Sequence, residues 1–381
     1  MRWAGIFACA LFLAAVGSRA QSNPTPPDFK IAFIGDQGSG ANARAVLELI
    51  AAEGADAVVH SGDFDYGDDP AAWDALIDAV LGADFPYFAS AGNHDDQSFR
   101  GASGYQARLE ARMTRLGIPW SGDLGVRSVH EYEGILFVLT APGIFANGDG
   151  DSVYAPFIRD QLSMTNAIWR ISSWHKNMNA MQVGGKSDDT GWGVYEESRR
   201  GGAIIATGHE HSYSRTHLLR EMATQTCVHV PDCNSPNNTL VLEADDPLTP
   251  GVDEGASFVF VSGLGGKSVR VQKRDGPYWA AIHTSDQGAA PGALFGVFNL
   301  AGDPRMARFT FVDLGPDGVV SADDRMVDDF FVRSEVGVDP DATPIPEPGT
   351  VAMMVTALLV VAALRAWWRP GGAAHAQSGS G

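Results

Sequence analysis

Basic side chains are scarce in this sequence: 27 Lys and Arg stand against 46 Asp and Glu, a formal net charge of −19. That balance excludes capture of nucleic acid by general attraction and leaves only a local positive site, such as a bound metal, to draw in an anion. Cysteine is scarcer, at three residues. Cys9 lies in an N-terminal apolar run; Cys227 and Cys233 are close enough to close a small loop as a disulfide, or else are two buried thiols. No internal repeat is present, which excludes a solenoid or propeller. Hydrophobic residues make up 45% and charged residues 19%, the proportions of a globular chain rather than a disordered one.

Long apolar runs occur only at the two ends. Arg2, an apolar run over 4–16 and Ser18-Arg19-Ala20 form the pattern of an export signal over 1–20, followed by a Pro-rich leader up to Asp28. At the other end, Pro346-Glu347-Pro348 closes a linker over 336–349, and an apolar run leads to Arg365-Ala366-Trp367-Trp368-Arg369. The run is shorter than the roughly 20 residues of a spanning helix, but the Trp pair and a snorkelling Arg365 extend it, giving a transmembrane or sorting segment over 350–369. This tail resembles the PEP-CTERM sorting signal of Gram-negative bacteria. The resemblance implies an exosortase-like processing enzyme as a partner; the plain alternative is a membrane anchor. Both place the body of the protein outside the cytoplasm, in the periplasm or at the cell surface, at least transiently anchored in the inner membrane.

Between the ends, strand and helix patterns alternate. Strands are expected over 30–35, 56–61, 86–91, 135–140, 167–174 and 203–207, with helices over 43–53, 70–81, 105–116, 154–164 and 193–200, Pro70 suiting a first helical turn. Such alternation argues for buried parallel strands in an α/β domain. Residues 221–255 read as a long surface excursion. Short strands over 257–263, 294–300, 307–312 and 318–320 then suggest that the second half builds a second sheet. No linker interrupts 28–335, so one catalytic domain is expected there.

The residues that follow the strands carry the chemistry. They are Gly35-Asp36-Gln37-Gly38, Gly62-Asp63-Phe64-Asp65-Tyr66, Gly92-Asn93-His94-Asp95, His175, and Gly208-His209-Glu210-His211. Ligands of an open α/β sheet bind outside the carboxyl ends of its strands. Any one of these turns alone is an ordinary loop; five in this order bring carboxylates, a phenol, an amide and imidazoles to one edge, a donor set for metal ions. Two other features are weaker. His60 sits inside a strand and reads as a core histidine. Asp313 to Asp324 partly matches a calcium loop but has Gly315 where an acid is expected, so a plain turn is the better reading.

The five motifs resemble the calcineurin-like metallophosphoesterases and, through Gly38 and Tyr66, the purple acid phosphatases among them. His211-Ser212-Tyr213-Ser214-Arg215 and Gly263-Leu264-Gly265-Gly266 extend the likeness. The resemblance implies a four-layer α/β/β/α sandwich of two mixed sheets with a dinuclear site at the strand C-terminal ends. It implies Asp36, Tyr66 and His211 on Fe(III), Asn93, His175 and His209 on a divalent ion (Fe, Zn or Mn), and Asp63 bridging. It further implies an exported phosphoesterase that hydrolyses phosphate monoesters by attack of a metal-bound hydroxide, with His94 binding phosphate or protonating the leaving group. A phosphodiesterase acting on nucleotides or phospholipid head groups, and a catalytically silent surface or matrix protein, are the alternatives. The lone-His segment departs from the family pattern after His175, where only Lys176, Asn177 and Lys186 are available in place of further histidines.

Overall fold

In the computed structural model, which describes residues 24–337 apart from 146–149, 247–248, 250 and 322–323, the continuous apolar runs are strands covered on both faces. The export signal, the Pro-Glu-Pro turn and the apolar tail lie outside the described residues. Among the described residues no helix is long and apolar enough to cross a membrane.

In chain order the first half supplies β1 (Phe29–Ile34), α1 (Ala41–Ala52), β2 (Ala57–His60), α2 (Pro70–Val80), β3 (Tyr87–Ala89), α3 (Asp96–Phe99), α4 (Tyr105–Arg115), β4 (Trp120–Asp123), β5 (Arg127–Tyr132), β6 (Ile135–Thr140), α5 (Ala155–Ser163), β7 (Trp169–Trp174), α6 (Gly193–Arg200) and β8 (Ile204–Thr207). Apart from short 3-10 turns the rest is strand: β9 (Tyr213–Thr216), β10 (Leu219–Glu221), β11 (Thr226–Cys227), β12 (Thr239–Leu242), β13 (Val259–Ser262), β14 (Trp279–His283), β15 (Gly292–Phe298), β16 (Met306–Asp313) and β17 (Arg325–Ser334). Pro70 opens α2 behind Asp69, whose carboxylate accepts from the Ala72 N–H, so that helix starts where its residues dictate.

A seven-stranded mixed sheet runs β12-β17-β16-β15-β1-β2-β3 and an eight-stranded one runs β14-β9-β13-β8-β7-β6-β5-β4. β6 shows how a central strand comes to be wholly apolar. Its Ile135, Phe137 and Leu139 enter the main core, while Leu136 and Val138 enter a second core with residues of α5 and α6. The main core also takes the apolar faces of α1, α2 and α4. Rings cross between the sheets: Phe33 meets Phe260 at 5.2 Å, Trp169 meets Phe298 at 5.1 Å and Tyr213 stacks on Phe311 at 4.0 Å. The result is the α/β fold with two large mixed sheets that the motifs implied.

Two expectations need correction. The C-terminal half does not form its own sheet. β15 pairs antiparallel with β1, setting Phe295 opposite Ala32, while β13 pairs parallel with β8; both halves therefore contribute to both sheets. No strand forms over 318–320, where Gly318 has a positive φ; the chain turns there and pairs through β17 instead. The Asp328-Asp329 pair breaks the apolar pattern of β17, and the fold explains why. Asp328 reaches across to the other sheet, accepting from Tyr213 Oη at 2.7 Å and from Arg215 Nε at 2.7 Å and Nη2 at 3.1 Å, with the guanidinium 3.9 Å above the Phe330 ring. The excursion over 221–255 is also less loose than its composition suggests: a disulfide joins Cys227 to Cys233, and β12 pairs with β17.

Asp313 belongs to a structural cluster, in keeping with the plain-turn reading. It accepts from His283 Nε2 at 2.7 Å, from Arg325 Nη2 at 2.6 Å and from the backbone N–H of Ala290 and Gly315. Burial pushes this carboxyl up, but the His283 and Arg325 hydrogen bonds outweigh it and hold it at about 2. A depressed carboxyl stabilises the fold above its ordinary value and stops doing so as pH falls through the folded value. Asp313→Asn is therefore expected to unfold earlier than the parent in urea at pH 7, with the difference closing as pH approaches 2. Asp328→Ala leaves a buried guanidinium and phenol without their acceptor, and is expected to cost about 3–5 kcal/mol in denaturant unfolding. A loss near zero would show that the tie between the sheets is dispensable.

Candidate metal centre

Each motif begins where a strand ends: Asp36 after β1, Asp63 and Tyr66 after β2, Asn93 and His94 after β3, His175 after β7, and His209 and His211 after β8. To aim these side chains inward, the backbone adopts left-handed φ at four non-glycine positions, Asp36 (57°), Asp63 (61°), Tyr66 (58°) and His209 (71°). Such conformations cost of order 1–3 kcal/mol each and persist only where surrounding bonds enforce them. Here the first turn is stitched to the second, with Asp36, Gln37 and Gly38 N–H donating to the carbonyls of Gly62, Asp63 and Phe64 at 2.9–3.0 Å. The second is stitched to the third by Asp95, whose buried carboxylate accepts from the N–H of Asp63 (2.9 Å), Phe64 (2.8 Å) and Gly92 (2.6 Å). The approach is so close that a Cβ at Gly92 would fall 2.1 Å from Asp63 N.

Two donor groups result. In one, Tyr66 Oη lies 3.0 Å from Asp36 Oδ1 and 3.1 Å from His211 Nε2, and that nitrogen lies 3.3 Å from Asp36 Oδ1. In the other, His175 Nε2 lies 3.2 Å from Asp63 Oδ1 and 3.0 Å from His209 Nδ1. The ligand atoms of Asp63, His175 and His209 all fall within 4.8 Å of one another. Asn93 Oδ1 is buried and has no hydrogen-bond partner among the described residues. The rings are oriented from behind: His175 Nδ1 sits 2.7 Å from the Ser61 carbonyl, which can only accept and so fixes a proton on that nitrogen, and His211 Nδ1 sits 2.5 Å from Ser268 Oγ; each Nε2 faces the other donors. Asp36, Tyr66 and His211 are thus in mutual contact, as are Asp63, His175 and His209, and the His209 N–H joins the two groups by donating to Asp36 Oδ2 at 2.8 Å; Asn93 stands on the turn after β3.

The electrostatics fit cations. Burial pushes the Asp63 carboxyl up, but the His175 charge and hydrogen bond outweigh it and hold the group far below the usual range. Asp36 is lowered in the same way, against burial, by His211 and His175. Burial, with the Asp36 and Asp63 charges, raises the Tyr66 phenol far above its usual value. Burial and the neighbouring His175 charge hold His209 neutral. An orphaned amide oxygen, a neutral imidazole and two buried carboxylates around a phenol are a donor set short of positive charge.

His94 is exposed at the rim. Its N–H donates to Asp63 Oδ1 at 2.9 Å and its ring lies 4.6 Å from the Tyr66 ring. The three residues after the lone histidine have separate places. Asn177 is buried, donating to the Gly208 carbonyl at 2.8 Å and accepting from Tyr195 at 2.9 Å, so it props the final turn. Lys176 pairs with Asp189 at 3.8 Å, and Lys186 donates to the His209 carbonyl. His60 is a core histidine beside Tyr87 Oη, 3.1 Å away. Asp95 is the residue that sequence reasoning passed over; its signal was only its position after Gly92-Asn93-His94. Burial and the Asp63 charge push its carboxyl up to about 7 despite its backbone bonds.

Residues 29–213 match the family described as calcineurin-like phosphoesterase. Among solved structures, a purple acid phosphatase from yellow lupin (Lupinus luteus) seeds aligns at a TM-score of 0.56 and 16% identity over 81% of this chain, which spans 55% of the lupin chain. PhoD aligns at 0.51 and 12% identity over 86% of this chain and 74% of its own. At these identities the likeness is one of fold. No curated protein is matched by the sequence.

Removing Asp95 tests the stitching. Asp95→Ala is expected to lower stability by about 1–3 kcal/mol, since three buried N–H groups lose their acceptor. It is also expected to weaken metal retention about 10–100-fold. Elemental analysis after dialysis, alongside urea unfolding, reads both.

Proposed function

We propose, from the premise that residues 29–213 match the calcineurin-like phosphoesterase family, that this protein is a purple-acid-phosphatase-like hydrolase of phosphate monoesters. The observation that carries the reading is the pair of donor groups, Asp36 with Tyr66 and His211 in one and Asp63 with His175 and His209 in the other, beside a turn whose Asn93 oxygen is buried and without a partner among the described residues. Asp36, Tyr66 and His211 offer hard anionic oxygens with one imidazole and would hold Fe(III). Asn93, His175 and His209 offer neutral donors and would hold a divalent ion, with Asp63 shared. Bound there, the two cations supply Lewis-acid polarisation of a phosphoryl group and acidify water.

The chain's own residues do the rest. Asp95 and the stitched turns fix the donor geometry before substrate arrives. The Ser61 carbonyl and the Ser268 hydroxyl orient the His175 and His211 rings. His94, exposed beside Tyr66, is placed to meet a phosphoryl oxygen or to hand a proton to the departing alcohol. The Cys227–Cys233 disulfide supports export to an oxidising compartment, with the tail acting as a sorting or anchoring signal.

The test uses protein expressed without the tail and purified with iron and zinc. It is expected to release phosphate from p-nitrophenyl phosphate, to lose that activity on chelation and to regain it when metal is restored. Asp63→Ala is expected to lose both metal and activity, and Tyr66→Phe to lose the visible tyrosinate-to-iron band. Full activity and metal content in Asp63→Ala would falsify the assignment.

A further inference from the structure

Several cations surround the centre of this acidic chain, and most are already engaged. Lys176 pairs with Asp189, Lys186 donates to the His209 carbonyl, and Arg270 lies 3.6 Å from Glu210 and donates to the same carbonyl at 3.3 Å. Arg274 donates to the carbonyls of Gly184 and Lys186. These groups brace the final turn and the loop beside it.

Lys267 is different. Its backbone N–H donates to the Asp36 carbonyl at 3.0 Å, which fixes the residue against the first ligand turn. Its exposed side chain makes no hydrogen bond or ion pair among the described residues; the ammonium lies 4.4 Å from the centroid of the Tyr66 ring. The hydroxyl of that ring is the atom that meets Asp36 and His211, and the same ring carries His94 at 4.6 Å. In a chain with 46 acidic residues, a lysine held at a metal centre without a carboxylate partner is a charge left available to something that arrives.

We propose that Lys267 is a specificity-determining residue that reads the second negative charge of a phosphate monoester, and so favours monoesters over diesters. This rests on the phosphoesterase reading of the same centre. A monoester carries close to two charges above pH 6 and presents three terminal oxygens; a diester carries one charge and turns a second alcohol outward. With two phosphoryl oxygens directed at the donor groups, the outward oxygen of a monoester has Lys267 and His94 at the rim to meet it. A diester puts an uncharged substituent in that place. Lys267 thereby selects by charge at a position where the ligands themselves cannot discriminate.

The experiment compares wild type with Lys267→Met and Lys267→Arg, all loaded with iron and zinc. Three readouts are taken: calorimetric binding of inorganic phosphate, kcat/KM on p-nitrophenyl phosphate against bis(p-nitrophenyl) phosphate, and the position of the tyrosinate band. Lys267→Met is expected to bind phosphate about 10–100-fold more weakly and to lose monoester kcat/KM by a similar factor. Diester kcat/KM should change less than about threefold on the same charge argument, and Lys267→Arg should recover most of the loss. Unchanged phosphate affinity overturns the proposal. So does an equal loss on both esters with a shifted band, which assigns Lys267 to the electronics of Tyr66 instead. A wild type that cleaves neither ester refutes the phosphoesterase reading, while the phosphate-binding comparison still decides the role of Lys267.

Discussion

Asp36 and Asp63 are both fully enclosed, and among the described residues neither has a Lys or Arg as an ion-pair partner. Two carboxylates removed from water at such close quarters are an expense that neighbouring imidazoles and backbone N–H groups only partly offset. Much of the local architecture follows from that constraint. The His209 N–H turns toward Asp36 and the His94 N–H toward Asp63, each over 2.8–2.9 Å, and the left-handed backbone at the ligand positions is what permits those turns. The remaining compensation is the place a cation takes. The site is thus defined as much by uncompensated charge as by the identity of its ligands.

The sheets make this arrangement rigid. Parallel strands of each sheet end at one edge, and the turns leaving them are bonded to one another more than to solvent. The aromatic contacts between β1 and β13, and between β9 and β16, hold the two edges in register. A donor group drawn from both sheets is only as precise as the packing between them.

The local part of this organisation was legible in the sequence. Most strands that carry a ligand are short, largely apolar runs, β7 with Arg170, Ser172 and Ser173 being the exception, and the ligand types announce themselves once the strand ends are aligned. What sequence could not show is long-range. β4 and β5 have few apolar residues on their exposed face and no strong periodicity. β17 hides behind Asp328-Asp329, which is sensible only when Arg215, more than a hundred residues earlier, is seen opposite it. The pairing of β15 with β1 has no local signal at all. Asp95 escaped because a carboxylate serving three backbone donors looks the same in sequence as one on the surface.

β1 lies between β2, its near neighbour in the chain, and β15, which is added only in the last quarter. The strand that delivers Asp36 therefore has an open edge for most of synthesis, and its loop cannot settle until residues 292–298 have arrived. Contacts so distant in sequence form late and slowly. Every expected ligand precedes residue 212, so the chain carries its whole donor set before the strand that braces the first of them exists.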